Sequence, residues 1–272
     1  MKLTDRQINL FREQGYVTVE NFLTEEERAS ALDGFFHFFS PAFNDFVANG
    51  RTNSTPQQAI FPWDHSGLNH INTHPDLIDA AERILGTREI RLCEGALGMK
   101  YAGEDYGGFL YHIDYGNNTL GPIPEPDDFM HIQCLYLLDD VEPGMGPIMM
   151  VPSGKTEKHA VPITVPGGSV CLYSIFTLHS PSPWTIDKGH RPAMWANFCR
   201  KDRPWDGGRA FTYKNGAGSE SMTRFMVEAS PRQRELLGFP PPGDPLWSDT
   251  FLQGMSARYP GFDPEPYQSA RP

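Results

Sequence analysis

The 272-residue chain lacks any apolar run approaching the roughly 20 residues that a membrane-spanning helix needs. Its opening segment, MKLTDRQINLF, has no long apolar core of the kind a secretory leader carries. A cytoplasmic protein without a membrane partner is the expectation. Basic charge is also scarce, because 23 Lys and Arg stand against 34 Asp and Glu, for a net charge of -11. Such a chain presents no general field to a polyanion, which argues against nucleic acid and leaves a small molecule as the expected partner. Cysteine is sparse: Cys93, Cys134, Cys171 and Cys199 are widely spaced and include no CxxC pair. Each lies in an apolar, strand-like stretch, so four buried free thiols in a reducing compartment are expected.

Turn-forming residues, by contrast, are plentiful. The 26 Gly and 25 Pro disfavour long helical bundles. Helix signals gather at the N-terminus. Thr4 and Gln7 form a capping box with Leu3 and Ile8 as its staple, and Gly15 ends that helix. Tyr16 to Glu20 alternates like a strand, and Thr24 with Glu27 opens a second helix reaching about Phe38. After a looser segment from Ser40 to Ser66, Pro75 starts a helix with the stripe Leu77, Ile78, Ala81, Ile84 and Leu85, stopped by Gly86.

From Arg88 to Arg200 the texture changes to short apolar runs: Ile90 to Met99, Gly108 to His112, His131 to Leu138, Ile148 to Val151, Ser169 to Leu178 and Pro192 to Cys199. Turns such as 142–147 and 165–168 separate them, the pattern of a sandwich or a jelly-roll. In the tail, Ser230 and Gln233 form a further capping box closed by Gly238, and the proline-rich stretch 239–245 excludes regular structure. The expected organisation is one domain over 1–272: a helical layer (1–87), a mainly β core (88–200) and a C-terminal decoration (201–272) that packs on the core or overhangs its mouth.

His112-Ile113-Asp114 carries the chemistry. On extended chain, side chains two apart share a face, so one imidazole and one carboxylate converge and need only a third ligand to complete a facial triad. The later histidines are His131, His159, His179 and His190. His179 is preferred because it ends the strong strand-like run Val170 to Leu178 at a Ser-Pro-Ser-Pro break. Arg191 follows twelve positions later, where a guanidinium fork would suit a carboxylate. His190 alternates to the other face, and His131 and His159 read as structural or exposed. Trp63, Tyr106, Trp184 and Trp247 could wall a pocket, though core packing suits most of them better, and the loop Tyr115 to Thr119 is open to either an ordinary turn or a substrate contact.

The order His112-x-Asp114, His179, Arg191 resembles the Fe(II)- and 2-oxoglutarate-dependent dioxygenases of the phytanoyl-CoA dioxygenase family. So do Leu3-Thr4 to Phe22, the stretch Gly144 to Ser153, and Pro166 to Val170. The resemblance spans roughly residues 3 to 200. It implies a double-stranded β-helix, jelly-roll and cupin-like, in which His112, Asp114 and His179 bind Fe(II). 2-Oxoglutarate would chelate the metal with its far carboxylate on Arg191, and Lys100 and Gln133 would be further cosubstrate contacts. O2 would be the second cosubstrate, with ascorbate as accessory reductant and succinate and CO2 as products. Two positions depart from the family pattern: Ala193 stands where a hydroxyl is common, and Gly154-Lys155 replaces His-Lys. Related halogenases replace the carboxylate ligand with a small residue, so Asp114 points to hydroxylation, with desaturation or ring formation as variants. Two alternatives remain: a cupin-like metalloenzyme that uses no keto acid, and a non-catalytic jelly-roll binder. Substrate identity and oligomeric state have no signature in the sequence, and no basic cluster suits a CoA diphosphate.

Overall fold

The structure, a computed structural model, describes residues 2–39, 43–48, 61–103, 110–114, 131–201, 220–237, 239–245 and 247–270. The expected Tyr115 to Thr119 loop, Tyr106, Gly108, Phe109 and the Gly238 stop lie outside these residues.

The N-terminal elements follow their caps. Helix α1 (Asp5–Gln14) has the reciprocal Thr4/Gln7 box and ends at Gly15, whose φ of +81° suits glycine. Strand β1 (Tyr16–Val19) leads to α2 (Glu25–Phe35), boxed by Thr24 and Glu27. Two short helices, α3 (Phe43–Ala48) and α4 (Ser66–Asn72), adjoin or occupy the segment expected to be loose. They leave little trace in the sequence because α4 is one to two turns long and His65 supplies no side-chain cap. Helix α5 (Pro75–Leu85) buries the anticipated stripe and stops at Gly86.

The strands are β2 (Ile90–Tyr101), β3 (His131–Leu137), β4 (Met149–Met150), β5 (Val161–Pro162), β6 (Ser169–Ser174), β7 (His179–Ser180) and β8 (His190–Arg200). They form two antiparallel sheets, ordered β1-β6-β3-β8-β2 and β5-β4-β7. Alternation divides the large sheet between two cores. Ile132, Cys134, Tyr136, Leu172, Met194, Ala196 and Phe198 pack with the helices. Leu135, Leu137, Cys171, Tyr173 and Ala193 pack with Met150, Ile163 and Val165 of the small-sheet region. The second face therefore looks into the space between the sheets.

Helices α6 (Glu220–Glu228), α7 (Pro231–Glu235), α8 (Asp249–Arg258) and α9 (Glu265–Gln268) extend the helical layer. Met222, Phe225, Leu236 and Trp247 join the same core as α1 and α5. Arg234 is 2% exposed; its guanidinium lies 4.5 Å over the Phe262 ring and donates from Nε to the Met226 carbonyl. The described tail is thus packed on the helix-covered side. No helix among the described residues is long and apolar enough to cross a membrane.

Three expectations are corrected. Val170 to Leu178 is not one strand: β6 ends at Ser174, where Thr177 N–H returns to the Ser174 carbonyl, and β7 starts at His179. His112 lies in an isolated bridge with His179 rather than in a strand, and Asp114 lies in a bend. The cysteines are not all free. Cys93 and Cys199 form a disulfide with Cα atoms 6.4 Å apart, while Cys134 and Cys171 are buried thiols. The reason is register: β2 and β8 pair along their whole length, with an irregularity between Leu92 and Glu94 that leaves Cys93 as the extra residue beside Cys199. A separation of 106 residues hides that adjacency from the sequence.

Candidate metal centre

His112, Asp114 and His179 are brought together by backbone as much as by side chains. His112 N–H donates to the His179 carbonyl at 2.9 Å, His179 N–H returns to His112 at 3.0 Å, and Asp114 N–H donates to Ile175 at 3.1 Å. The HxD segment is therefore seated on the turn between β6 and β7, and β7 is in turn held by β4 through Met150. The two imidazole centroids are 4.4 Å apart. Nε2 of His112 is 3.8 Å from Asp114 Oδ1, and Nε2 of His179 is 3.6 Å from Asp114 Oδ2. The His179 side chain is 7% exposed and that of His112 is 39%, so the cluster is closed on one side and open on the other.

The tautomers are fixed by the opposite ring nitrogens. His112 Nδ1 lies 3.0 Å from the Leu110 carbonyl and His179 Nδ1 lies 2.8 Å from the Thr177 carbonyl. A carbonyl only accepts, so both Nδ1 atoms carry hydrogen and both Nε2 lone pairs face the carboxylate. Metal-ligating histidines are oriented in this way, by a bond from the ring nitrogen that does not face the metal. Burial lowers the His179 pKa, against the Asp114 charge and the Thr177 bond, and favours the neutral ligand form.

Glu27, His70 and His74 form another cluster whose donor atoms lie within 4.8 Å of one another. Its hydrogen bonding is different. His74 Nδ1 accepts the Asp76 N–H at 3.1 Å, so its Nε2 carries the proton and donates to Glu27 Oε1 at 3.1 Å. His70 shares that oxygen at 3.2 Å, while Oε2 accepts from Thr24 N–H and Oγ1. Burial raises the Glu27 carboxyl, but the Thr24 backbone, the His70 and Thr24 side chains and the His74 charge together draw it down to about 2. The lone pairs a cation would need are committed, and the cluster ties α2 to α4 and α5.

The inward face of the large sheet extends the candidate site. Glu94, Asn197, Gln133 and Tyr173 are cross-strand partners in one row over β2, β8, β3 and β6. Asn197 Nδ2 donates to Glu94 at 3.2 Å, and Tyr173 Oη donates to Gln133 Oε1 at 3.1 Å. Gln133 Nε2 donates to Asp114 Oδ2. The Tyr173 ring is 5.0 Å from His179, and burial, then the Asp114 charge, pushes its hydroxyl well above the usual tyrosine range. Toward the other end of the same face, Lys100 and Arg191 are direct partners. Lys100 is 5% exposed and donates to the Ser182 carbonyl at 2.6 Å.

Of the six residues singled out from sequence, the structure gathers His112, Asp114, His179 and Gln133, and places Lys100 beside Arg191 farther along the sheet. His190 lies near Asp139, Tyr101 and Phe36, while His131 is buried and exposed His159 contacts Thr156. Tyr173 was not anticipated; its signal was inward alternation with Cys171, which is interpretable only once register is known.

No family model and no curated protein matches the chain. Solved structures do match. The non-heme alpha-ketoglutarate-dependent epimerase SnoN from nogalamycin biosynthesis aligns with a TM-score of 0.55 at 18% identity, over 78% of this chain and 90% of its own. The non-heme monooxygenase ThoJ, as a nickel complex, gives 0.58 at 17% identity over 97% and 98%. HygX from Streptomyces hygroscopicus, with nickel and 2-oxoglutarate bound, gives 0.52 at 13% identity over 73% and 88%. The chain shares the fold of these enzymes. At these identities the likeness is one of fold.

Proposed function

We propose that the protein is an Fe(II)- and 2-oxoglutarate-dependent oxygenase that hydroxylates a small molecule, built as one double-stranded β-helix domain decorated by helices. The observation that carries this reading is the pair of Nδ1–H bonds to Leu110 and Thr177, which turns both Nε2 lone pairs onto Asp114. Two neutral imidazoles and one carboxylate on one side of a site suit Fe(II) and leave positions for a keto acid and O2. When bound, iron and 2-oxoglutarate together supply the capacity to oxidise a C–H bond while the keto acid becomes succinate and CO2.

The protein's own part is placement. His112, Asp114 and His179 hold the metal, and the seating of the HxD segment on Ile175 and His179 fixes where their donor atoms point. Arg191 receives the far carboxylate of the cosubstrate, with a fork that a carboxylate matches. Ala193 offers no hydroxyl and is packed in the inter-sheet core, but Lys100, directly across from Arg191, provides the further cation there. Hydroxylation is the outcome favoured by retention of Asp114. A cytoplasmic setting is proposed with it, and there the Cys93–Cys199 bond would be an exception to the usual reduced state of thiols.

The deciding experiment is anaerobic loading with Fe(II) and 2-oxoglutarate followed by exposure to O2. Even without the natural substrate, slow formation of succinate is expected, and Asp114→Ala should abolish it. A wild-type protein that binds the metal stoichiometrically yet produces no succinate, with or without a broad substrate panel, would sink the assignment in favour of a binder or an enzyme independent of keto acid.

A further inference from the structure

We propose that Gln133 and Tyr173 are positioning residues that lock the Asp114 carboxylate for metal binding, Tyr173 acting through Gln133. The proposal rests on the metal-centre reading above and assigns to Gln133 a partner other than the cosubstrate.

The direction of each hydrogen follows from the acceptor at its end. An ionised carboxylate only accepts, so Gln133 must present Nε2 to Asp114. Its Oε1 then faces the Tyr173 hydroxyl, which donates at 3.1 Å. Flipping the amide would set a carbonyl against a carboxylate, so the carboxylate end alone fixes the orientation. The chain Tyr173, Gln133, Asp114 therefore has one stable polarity. Trp195 lies on the same inward face, packed against the cluster that contains Tyr173. Gly98 makes room for that indole: a Cβ there would lie 2.6 Å from the Trp195 ring.

The frame behind this chain is rigid. Gln133 is 7% exposed and Tyr173 is 2% exposed, both on central strands that pair with each other. Asp114, in contrast, lies in a bend. The metal-binding carboxylate is thus on the least regular backbone of the three candidate ligands, and the Gln133 amide ties its orientation to the sheet. Tyr173 also lies against the His179 ring, so the same side chain borders two of the ligands.

The test is anaerobic calorimetric titration of the full-length protein with Ni(II), together with the visible spectrum of the Co(II) form. Q133L should weaken Ni(II) binding roughly 10- to 100-fold, the usual range for loss of an outer-shell partner, and alter the Co(II) bands. Y173F should weaken it several-fold. The double variant Q133L/Y173F should bind within about twofold of Q133L alone, because the hydrogen bond that Y173F removes is the one to Gln133, while the ring against His179 is kept. Should Q133L fail to fold, Y173F removes one oxygen and carries the test by itself. Wild-type affinity and an unchanged Co(II) spectrum in these variants, even with lowered thermal stability, would reduce the pair to a packing role and overturn the proposal. Failure of the wild type to bind Ni(II), or binding undiminished in H179A, would instead overturn the metal-centre reading and this inference with it.

Discussion

Lys100 and Arg191 face each other directly across β2 and β8, two cations in register on the inward face of the large sheet. A dicarboxylate bound at this end of the sheet would be attracted by both. Hydrogen bonds to charged groups contribute about 1.5–3 kcal/mol each, so R191M should raise the KM for 2-oxoglutarate roughly 10- to 150-fold. K100M should act in the same direction with a smaller effect, since a point charge lacks the two-pronged fit. Steady-state kinetics with 2-oxoglutarate varied at fixed Fe(II) checks both. A KM that stays at the wild-type value in R191M would remove the cosubstrate from this end of the sheet.

The two histidine–carboxylate clusters predict opposite outcomes on metal content. D114A and H179A should lose the bound divalent ion, whereas E27Q and H74A should retain one ion per chain, measured by elemental analysis after gel filtration. E27Q should instead lower stability, because Glu27 holds both the Thr24 cap and the two histidines. The pH dependence has a definite sign. The Glu27 carboxyl is drawn from 4.5 to about 2 in the folded protein, so its contribution is present above about pH 4.5 and is lost as pH falls toward 2. Acid unfolding of the wild type should be steeper than that of E27Q in this window. A second ion lost on H74A substitution would show that the Glu27 cluster binds metal after all.

Much of the chain was interpretable from local signals because caps and stops act over a few residues. Thr4 with Gln7, Thr24 with Glu27, Ser230 with Gln233, and the glycines at 15 and 86 all sit where their helices begin or end. What was not legible depends on pairing between distant strands. Cys93 meets Cys199 only because of the β2–β8 register, and Gln133 meets Asp114 only because the HxD segment docks on the β6–β7 turn. Even the pairing of His112 with Asp114, inferred from strand geometry, is achieved by a single bridge and a bend rather than by regular alternation. The residue types at the site could be found in the sequence; the support around them could not.

His131 gives a second pH signature, separate from the carboxylates. It is 1% exposed, and burial, reinforced by the Arg91 charge, lowers its pKa from 6.5 to about 3. The unfolded chain therefore takes up a proton near pH 6.5 that the folded chain refuses until about pH 3. Stability from this group is full above pH 6.5 and falls by about 1.4 kcal/mol per pH unit below it, levelling out near pH 3. Denaturant unfolding of H131N and wild type across pH 4–7 should show this difference in slope. Parallel curves would mean that His131 is protonated in the folded protein, with a buried counter-charge.

The Cys93–Cys199 bond makes the last prediction, and it runs against what scattered cysteines suggest. Alkylation in denaturant without reductant should modify two thiols, Cys134 and Cys171, and alkylation after reduction should modify four, as read by intact mass. Disulfides typically stabilise by about 2–4 kcal/mol, and the chain-entropy estimate for a loop of about 100 residues is about 4.7, so reduction should lower the denaturation midpoint accordingly. The position gives the bond a further consequence. It joins β2 to β8 at the bulge next to the Glu94–Asn197 pair, whose row continues through Gln133 to Asp114. Reduction should therefore loosen the end of the sheet from which the metal ligand is steadied, and weaken Ni(II) binding along with stability. Four reactive thiols in the unreduced protein would show that the two sulfurs are close neighbours without a bond. The sheet end would then be held by strand pairing and by the Arg91 Nε contact to Cys199 Sγ at 3.2 Å.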